Sequence, residues 1–444
     1  MPFSAAPLRR PQALWFSPRL WRRRVTFWLG ALAVGVISVG FAKLATLAQT
    51  LFDHATGISP WLALVITPLG FVASAYLCRR VFPGAQGSGI PQAIAARRFR
   101  DPATRNKLLS LRLAAGKVAL TVLGLACGAS VGREGPTVQV GASIMLQVAR
   151  WGGTGRERGL ILAGSAAGIA AAFNTPLAGI VFAIEEMSRA FEARTSGLVL
   201  TTVILAGLAS LGIVGNYSYF GVTTASLTGL DDWLALAACG IGGGALGAVF
   251  SRLVLFGSAQ IARFTAKDPE RRSLGVAALC GLLVAAIGVF MHGATYGTGY
   301  EQARGAVEGN ILPPDFAPLK LLATLLSSLS GIPGGIFAPS LAVGAGVGSA
   351  IVHFLPGATP GAVVVLGMAG YFAGVVQAPI TAFVIVLEMT ANQQMTIPIM
   401  TTSLLAFAVS RLVCRRPLYG TLARRFLIET EPAAILRPTP LEDP

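Results

Sequence analysis

Apolar positions gather into a succession of long runs, beginning with Val25 to Leu51 and ending with Thr396 to Val413, with short polar breaks between them. Runs such as Leu111 to Val131, Trp233 to Phe256 and Ser273 to Met291 have the length of membrane helices. Others, such as Thr137 to Val148 and Thr381 to Leu387, fall short of the ~20 residues needed to cross ~30 Å of hydrocarbon. Those segments are predicted to be tilted, broken or re-entrant. The pattern implies an all-α polytopic membrane protein.

Composition agrees. The 444 residues are 54% hydrophobic and 12% charged, too apolar for a water-facing surface, so the lipid bilayer is the expected solvent. The 53 glycines and 26 prolines, many inside the runs, predict helix breaks. Freed backbone groups at membrane depth survive only where protein or water satisfies them, and transporters hold their ions at such breaks. A net charge of +16 would point to nucleic acid in a soluble protein. Here the basic residues bracket the apolar region: Arg9, Arg10, Arg19, Arg22, Arg23 and Arg24 before it, and Arg411, Arg415, Arg416, Arg424 and Arg425 after it. The positive-inside rule then predicts a basic cytoplasmic N-terminus over residues 1–24, a cytoplasmic C-terminus and an even number of crossings, with no nucleic-acid partner. The run from Val25 is too long for the core of a cleavable signal. Five scattered cysteines read as small buried hydrophobes, and three histidines leave little for a metal site, so no metal or cofactor is expected.

The chain repeats itself. Gly132-Arg133-Glu134-Gly135-Pro136 recurs 203 residues later as Gly335-Ile336-Phe337-Ala338-Pro339, and Pro176 to Glu185 recurs at the same offset as Pro379 to Glu388. Along that register Gly141 matches Gly344 and Gly164 matches Gly367; upstream, Gly87 to Ala93 parallels Gly297 to Ala303 at an offset of 210. Two related halves are predicted, 25–215 and 216–418, followed by a short tail, 419–444. An odd number of crossings in the first half would invert the second and frame a site at the midplane.

The polar breaks carry the candidate chemistry. Gly87-Ser88-Gly89-Ile90-Pro91 reads either as an ordinary loop cap or as a helix N-terminus offering N–H groups, a positive dipole end and an uncharged hydroxyl to an anion. Glu134 lies between two apolar runs, and an ionisable residue at membrane depth is a functional candidate by default. Its repeat counterpart is Phe337, so one half supplies a titratable group and the other only backbone N–H groups. Glu185 and Glu186 close the run from Leu160, where they read either as proton acceptors or as a solvated helix end; Glu185 is matched by Glu388, whereas Glu186 has no counterpart. Tyr419 follows the last run, where an aromatic belt is the ordinary reading.

Taken together, GSGIP at Gly87, GREGP at Gly132, GIFAP at Gly335 and PLY at Pro417 resemble the CLC family of chloride channels and chloride/proton antiporters, in that family's order and across nearly the whole chain. The resemblance implies a homodimer in which each subunit has its own pore, built from two inverted repeats. It also implies chloride held by the Ser88 and Tyr419 hydroxyls and the N–H groups of Ile336 and Phe337, with Gly132 to Pro136 framing an outer site. Glu134 would be the external gate and proton acceptor, with Arg133 beside it, and Glu186 the internal proton-transfer residue that favours antiport. Ser88 in GSGIP matches chloride-preferring members. Lys117 matches a buried family lysine whose usual glutamate partner is replaced here by Ile94. The 25 residues after Tyr419 imply a member without CBS domains, of bacterial inner-membrane type.

The expected function is exchange of chloride for protons; the alternative is a passive chloride channel of the same fold. Enzyme-like strings, GxSxG at Gly128 and GxGxxG at Gly242, lie in apolar helical stretches where small residues serve close packing. No enzymatic activity is expected.

Overall fold

A computed structural model describes residues 17–99, 101–153, 155–188, 193–215, 218–221 and 223–430. Arg9, Arg10 and the tail beyond 430 lie outside the described residues. The first half contains α1 (Pro18–Ile58), α2 (Ala63–Arg80), α3 (Ile90–Arg98), α4 (Pro102–Leu108), α5 (Leu111–Ala126), α6 (Glu134–Trp151), α7 (Glu157–Phe173), α8 (Pro176–Phe182) and α9 (Ala193–Val214). The second contains α10 (Leu230–Thr265), α11 (Arg271–Phe290), α12 (Tyr300–Val307), α13 (Phe316–Leu329), α14 (Phe337–Phe354), α15 (Pro360–Val376), α16 (Pro379–Thr390), α17 (Thr396–Val413) and finally α18 (Leu418–Thr430). Among the described residues, eight helical stretches are long and apolar enough to cross a membrane, and α13, α15 and α16 are shorter apolar helices.

Helix α1 begins at Pro18, so Arg19 and Arg22 to Arg24, ahead of the apolar run from Val25, lie in its first turns. The apolar run from Leu160 to Ile184 is interrupted, α7 ending at Phe173 with Asn174 as its cap and α8 starting at Pro176, with a π-helical turn over Ala183–Ser188.

The repeat is visible in how the helices end. Asn174 and Gln377 both adopt φ 57°, the left-handed conformation that stops a helix, and Pro176 and Pro379 then occupy the first turn of the next one. Helix crossings repeat as well. A Cβ on Gly141 would run into the Gly164 carbonyl and one on Gly164 into the Gly141 carbonyl; Gly344 and Gly367 make the same reciprocal approach. Each α6–α7 and α14–α15 crossing thus depends on backbones meeting without side chains between them, the packing that holds helices together in lipid.

The halves meet through reciprocal polar contacts. The Gly132 N–H donates to Gly335 O and the Gly335 N–H to Gly132 O, each at 2.7 Å. The Glu388 carboxylate accepts from the N–H groups of Leu177 and Ala178 at the start of α8, while Glu185 accepts from Ile380 and Thr381 at the start of α16. Each half therefore caps a helix of the other. The repeated Glu185 and Glu388 have a structural role, and α14 and α15 lie buried at the centre of the fold.

Candidate ion-transport site

Three helix N-termini converge because their preceding loops are knitted together. Gly87 N–H donates to Ile332 O at 3.2 Å and Gly334 N–H to Gly87 O at 3.1 Å, joining the loop before α3 to the loop before α14. The Gly132–Gly335 pair joins the loop before α6 to both. Glycine is required at this junction. Gly89 caps α3 at φ 96°, and a Cβ there would press on Gln139 and the Gly135 carbonyl; a Cβ on Gly135 would collide with the Ser88 hydroxyl.

Into this junction the sequence delivers polar groups that the protein itself does not satisfy. Ser88 Oγ, Tyr419 OH and both Glu134 carboxylate oxygens are buried outside full hydrogen-bond geometry, although the backbone N–H groups of Arg133, Glu134 and Ala338 lie near the Glu134 carboxylate. Such orphaned groups are costly and call for an explanation. The Tyr419 hydroxyl faces Ser88 outside hydrogen-bond geometry, and both Glu134 and Glu186 lie within electrostatic reach of it. Helix α18 brings Tyr419 in, with its ring 5.9 Å from that of Phe337. Phe337 in turn packs against Phe173, Phe182 and Phe372, which fixes the first turn of α14. The N–H groups of Ile336 and Phe337 open that helix, where geometry leaves them no intrahelical acceptor. Glu134, first residue of α6, is fully buried with its carboxylate folded against Gly132 and near Ala338. Glu186 is buried in the π-helical turn, whereas its neighbour Glu185 is half-buried.

Two side chains support the site. The Arg133 guanidinium donates to Ala42 O of α1 at 2.9 Å and lies over the Tyr219 ring. Lys117 is fully buried, and its ammonium donates to the carbonyls of Ala85, Gln86 and Gly87 at 2.6, 3.3 and 2.7 Å. The place of a glutamate partner is taken by backbone oxygens of the loop that presents Ser88.

Compared with known proteins, residues 69–411 match the voltage gated chloride channel family. The chain belongs to that family, the CLC proteins. Over 401 residues it is 34% identical to the H(+)/Cl(-) exchange transporter ClcA of Yersinia pestis, covering 84% of this chain and 80% of that protein. With ClcA of Citrobacter koseri the identity is 33% over 429 residues, covering 89% and 87%. A slow cyanobacterial Cl-/H+ antiporter superposes with a TM-score of 0.80 at 26% identity, over 94% of this chain and 99% of that one. A CLC-type fluoride/proton antiporter shares the fold, with a TM-score of 0.75 at 22% identity over 90% and 98%.

Sequence reasoning about this CLC chain overlooked Lys320. It stands 203 residues after Lys117, is equally buried, and donates to the carbonyls of Thr295, Tyr296 and Gly297, the repeat equivalents of Ala85 to Gly87. The offset already used for the glycines and glutamates would have found it.

Proposed function

We propose that the chain is a secondary active transporter that exchanges chloride for protons across a membrane. The observation that carries this reading is Glu134: a fully buried carboxylate at a helix N-terminus, facing the backbone N–H groups of Arg133, Glu134 and Ala338 outside full hydrogen-bond geometry, beside two orphaned hydroxyls. In this reading chloride is held by the Ser88 and Tyr419 hydroxyls and by the N–H groups of Ile336 and Phe337, all uncharged donors, as suits an anion that must leave again. An ionised Glu134 carboxylate occupies the outer anion position itself, framed by Gly132 to Pro136. Protonation removes the charge that held it there, so one carboxyl both competes with chloride and carries the proton. Buried Glu186 receives the proton on the way to the opposite face. Arg133 and Lys117 hold the loops around the site, Lys117 by fixing the carbonyls just before Ser88.

The names of the ClcA relatives and of the cyanobacterial antiporter support exchange over passive conduction. The working unit is a homodimer, each subunit with halves 25–215 and 216–418 and the tail 419–444 carrying the pore tyrosine. It sits in the lipid bilayer of a bacterial inner membrane with both termini in the cytoplasm. Purified protein in liposomes tests the function: an imposed chloride gradient should drive protons against their own gradient. Chloride flux without proton movement would make the protein a passive channel.

A further inference from the structure

Helix α1 contains one charged residue, Lys43, between Arg24 and Asp53. An ammonium group in the middle of a membrane helix is costly against lipid and is kept where it meets water and a partner. Lys43 meets a cavity of about 640 Å³, open to one side, whose walls also include Arg133, Asp53 and Glu301. Arg133 immediately precedes Glu134, so this cavity reaches the threshold of the site described above.

The charges are ordered along α1. Arg133 is bonded to the carbonyl of Ala42, the residue next to Lys43, so both cations sit at one level of the helix. Gln49, whose Oε1 accepts from Thr298 N–H at 3.5 Å, is about 9 Å further along, and Asp53 about 15 Å further, at 1.5 Å per residue. Glu301 follows Tyr300 in the first turn of α12. The cations therefore line the end of the cavity near Glu134, and Asp53 lines it further along α1.

We propose that Lys43 and Arg133 form an anion-receiving position in this cavity, where a small inorganic anion, chloride in the working protein, is held before it reaches Glu134. Two positive groups in a partly enclosed, hydrated cavity focus the local potential and raise the anion concentration there. A long flexible lysine suits this role, because its compact, strongly hydrated charge attracts an anion without stripping it of water. Asp53, about 15 Å further along α1, leaves the positive potential confined to the Lys43 and Arg133 end of the cavity.

The proposal rests on the reading of Glu134 as gate, and the test separates the two. Chloride/proton exchange is measured in proteoliposomes for Lys43→Cys and Lys43→Gln, with chloride varied on the cavity side at low ionic strength. Both variants should raise the half-saturating chloride concentration about fivefold, the size of a ~1 kcal/mol change in anion affinity, and leave the proton-to-chloride ratio unchanged. The native cysteines are buried, so charged methanethiosulfonates address Cys at position 43. A trimethylammonium-ethyl reagent should restore chloride affinity, a sulfonato-ethyl reagent should weaken it further, and an impermeant inert salt should shrink both effects. Equal effects of the two reagents, absence of reaction with either, or wild-type chloride dependence in Lys43→Gln would overturn the proposal. Loss of coupling in the unmodified protein would instead sink the reading of Glu134.

Discussion

Glu185 and Glu186 are chemically identical neighbours in different surroundings. Glu185 caps α16 across the repeat, accepting from Ile380 N–H at 3.1 Å, Thr381 N–H at 2.6 Å and Thr381 Oγ1 at 2.7 Å. Glu388 caps α8 with two bonds, from Leu177 N–H at 3.1 Å and Ala178 N–H at 2.7 Å. Replacing either with glutamine keeps one acceptor oxygen and turns the other into a donor facing an N–H group. The loss of a cap is worth about 0.5–2 kcal/mol, so Glu388→Gln should cost ~1 kcal/mol. Glu185→Gln keeps the hydroxyl bond, because the Thr381 hydroxyl can donate to an amide oxygen or accept from an amide N–H, and should likewise cost ~1 kcal/mol. Thermal unfolding in detergent, followed by tryptophan fluorescence, should place Glu388→Gln and Glu185→Gln below wild type by similar amounts. The same preparations in liposomes should still couple chloride to protons. Glu186→Gln should do the converse, leaving the melting temperature nearly unchanged and abolishing coupling. If Glu185→Gln lost coupling at unchanged stability, the division of labour between the two carboxylates would be wrong.

Other substitutions probe the anion site. Glu134→Gln should carry chloride at a rate independent of pH and move no protons, measured by paired chloride and pH electrodes; a retained pH response would contradict the gate. Gly135→Ala places a methyl group against the Ser88 hydroxyl and should weaken chloride binding by roughly tenfold in calorimetric titration, equivalent to ~1.4 kcal/mol; unchanged affinity would remove Ser88 from the anion's contacts. Lys117→Met takes the ammonium from three loop carbonyls; Gln86 O keeps the Gln92 amide and Gly87 O the Gly334 N–H, while Ala85 O loses its donor. The substitution should lower the melting temperature and chloride affinity together, whereas a loss of stability alone would confine Lys117 to holding the fold.

Much of the fold was legible because the constraint that shapes it is local. Proline starts a helix, a left-handed residue ends one, and a shared spacing of Pro176 and Glu185 with Pro379 and Glu388 announces two copies of one design. What the spacing could not say is that each glutamate caps the other copy's helix, since that contact belongs to the way the halves meet. Lys117 and Lys320 were illegible as a pair of clamps because their acceptors are backbone carbonyls, which leave no mark on side-chain identity. Glu185 and Glu186 differ in burial, a property of the π-helical turn that carries them and not of their residue type. The convergence of Ser88 and Tyr419, from opposite ends of the chain, was available only through family resemblance; among bare motifs each had an ordinary reading.

The central claim is that chloride and the Glu134 carboxylate compete for one position, so that anion binding and proton binding are linked. Linkage is reciprocal and can be measured without a membrane. Chloride is added to purified protein in weakly buffered detergent solution while pH is recorded. Uptake of protons that saturates with the chloride-binding isotherm, and is absent from Glu134→Gln, is the expected result. Chloride binding with no proton uptake, or uptake that persists in Glu134→Gln, would contradict it.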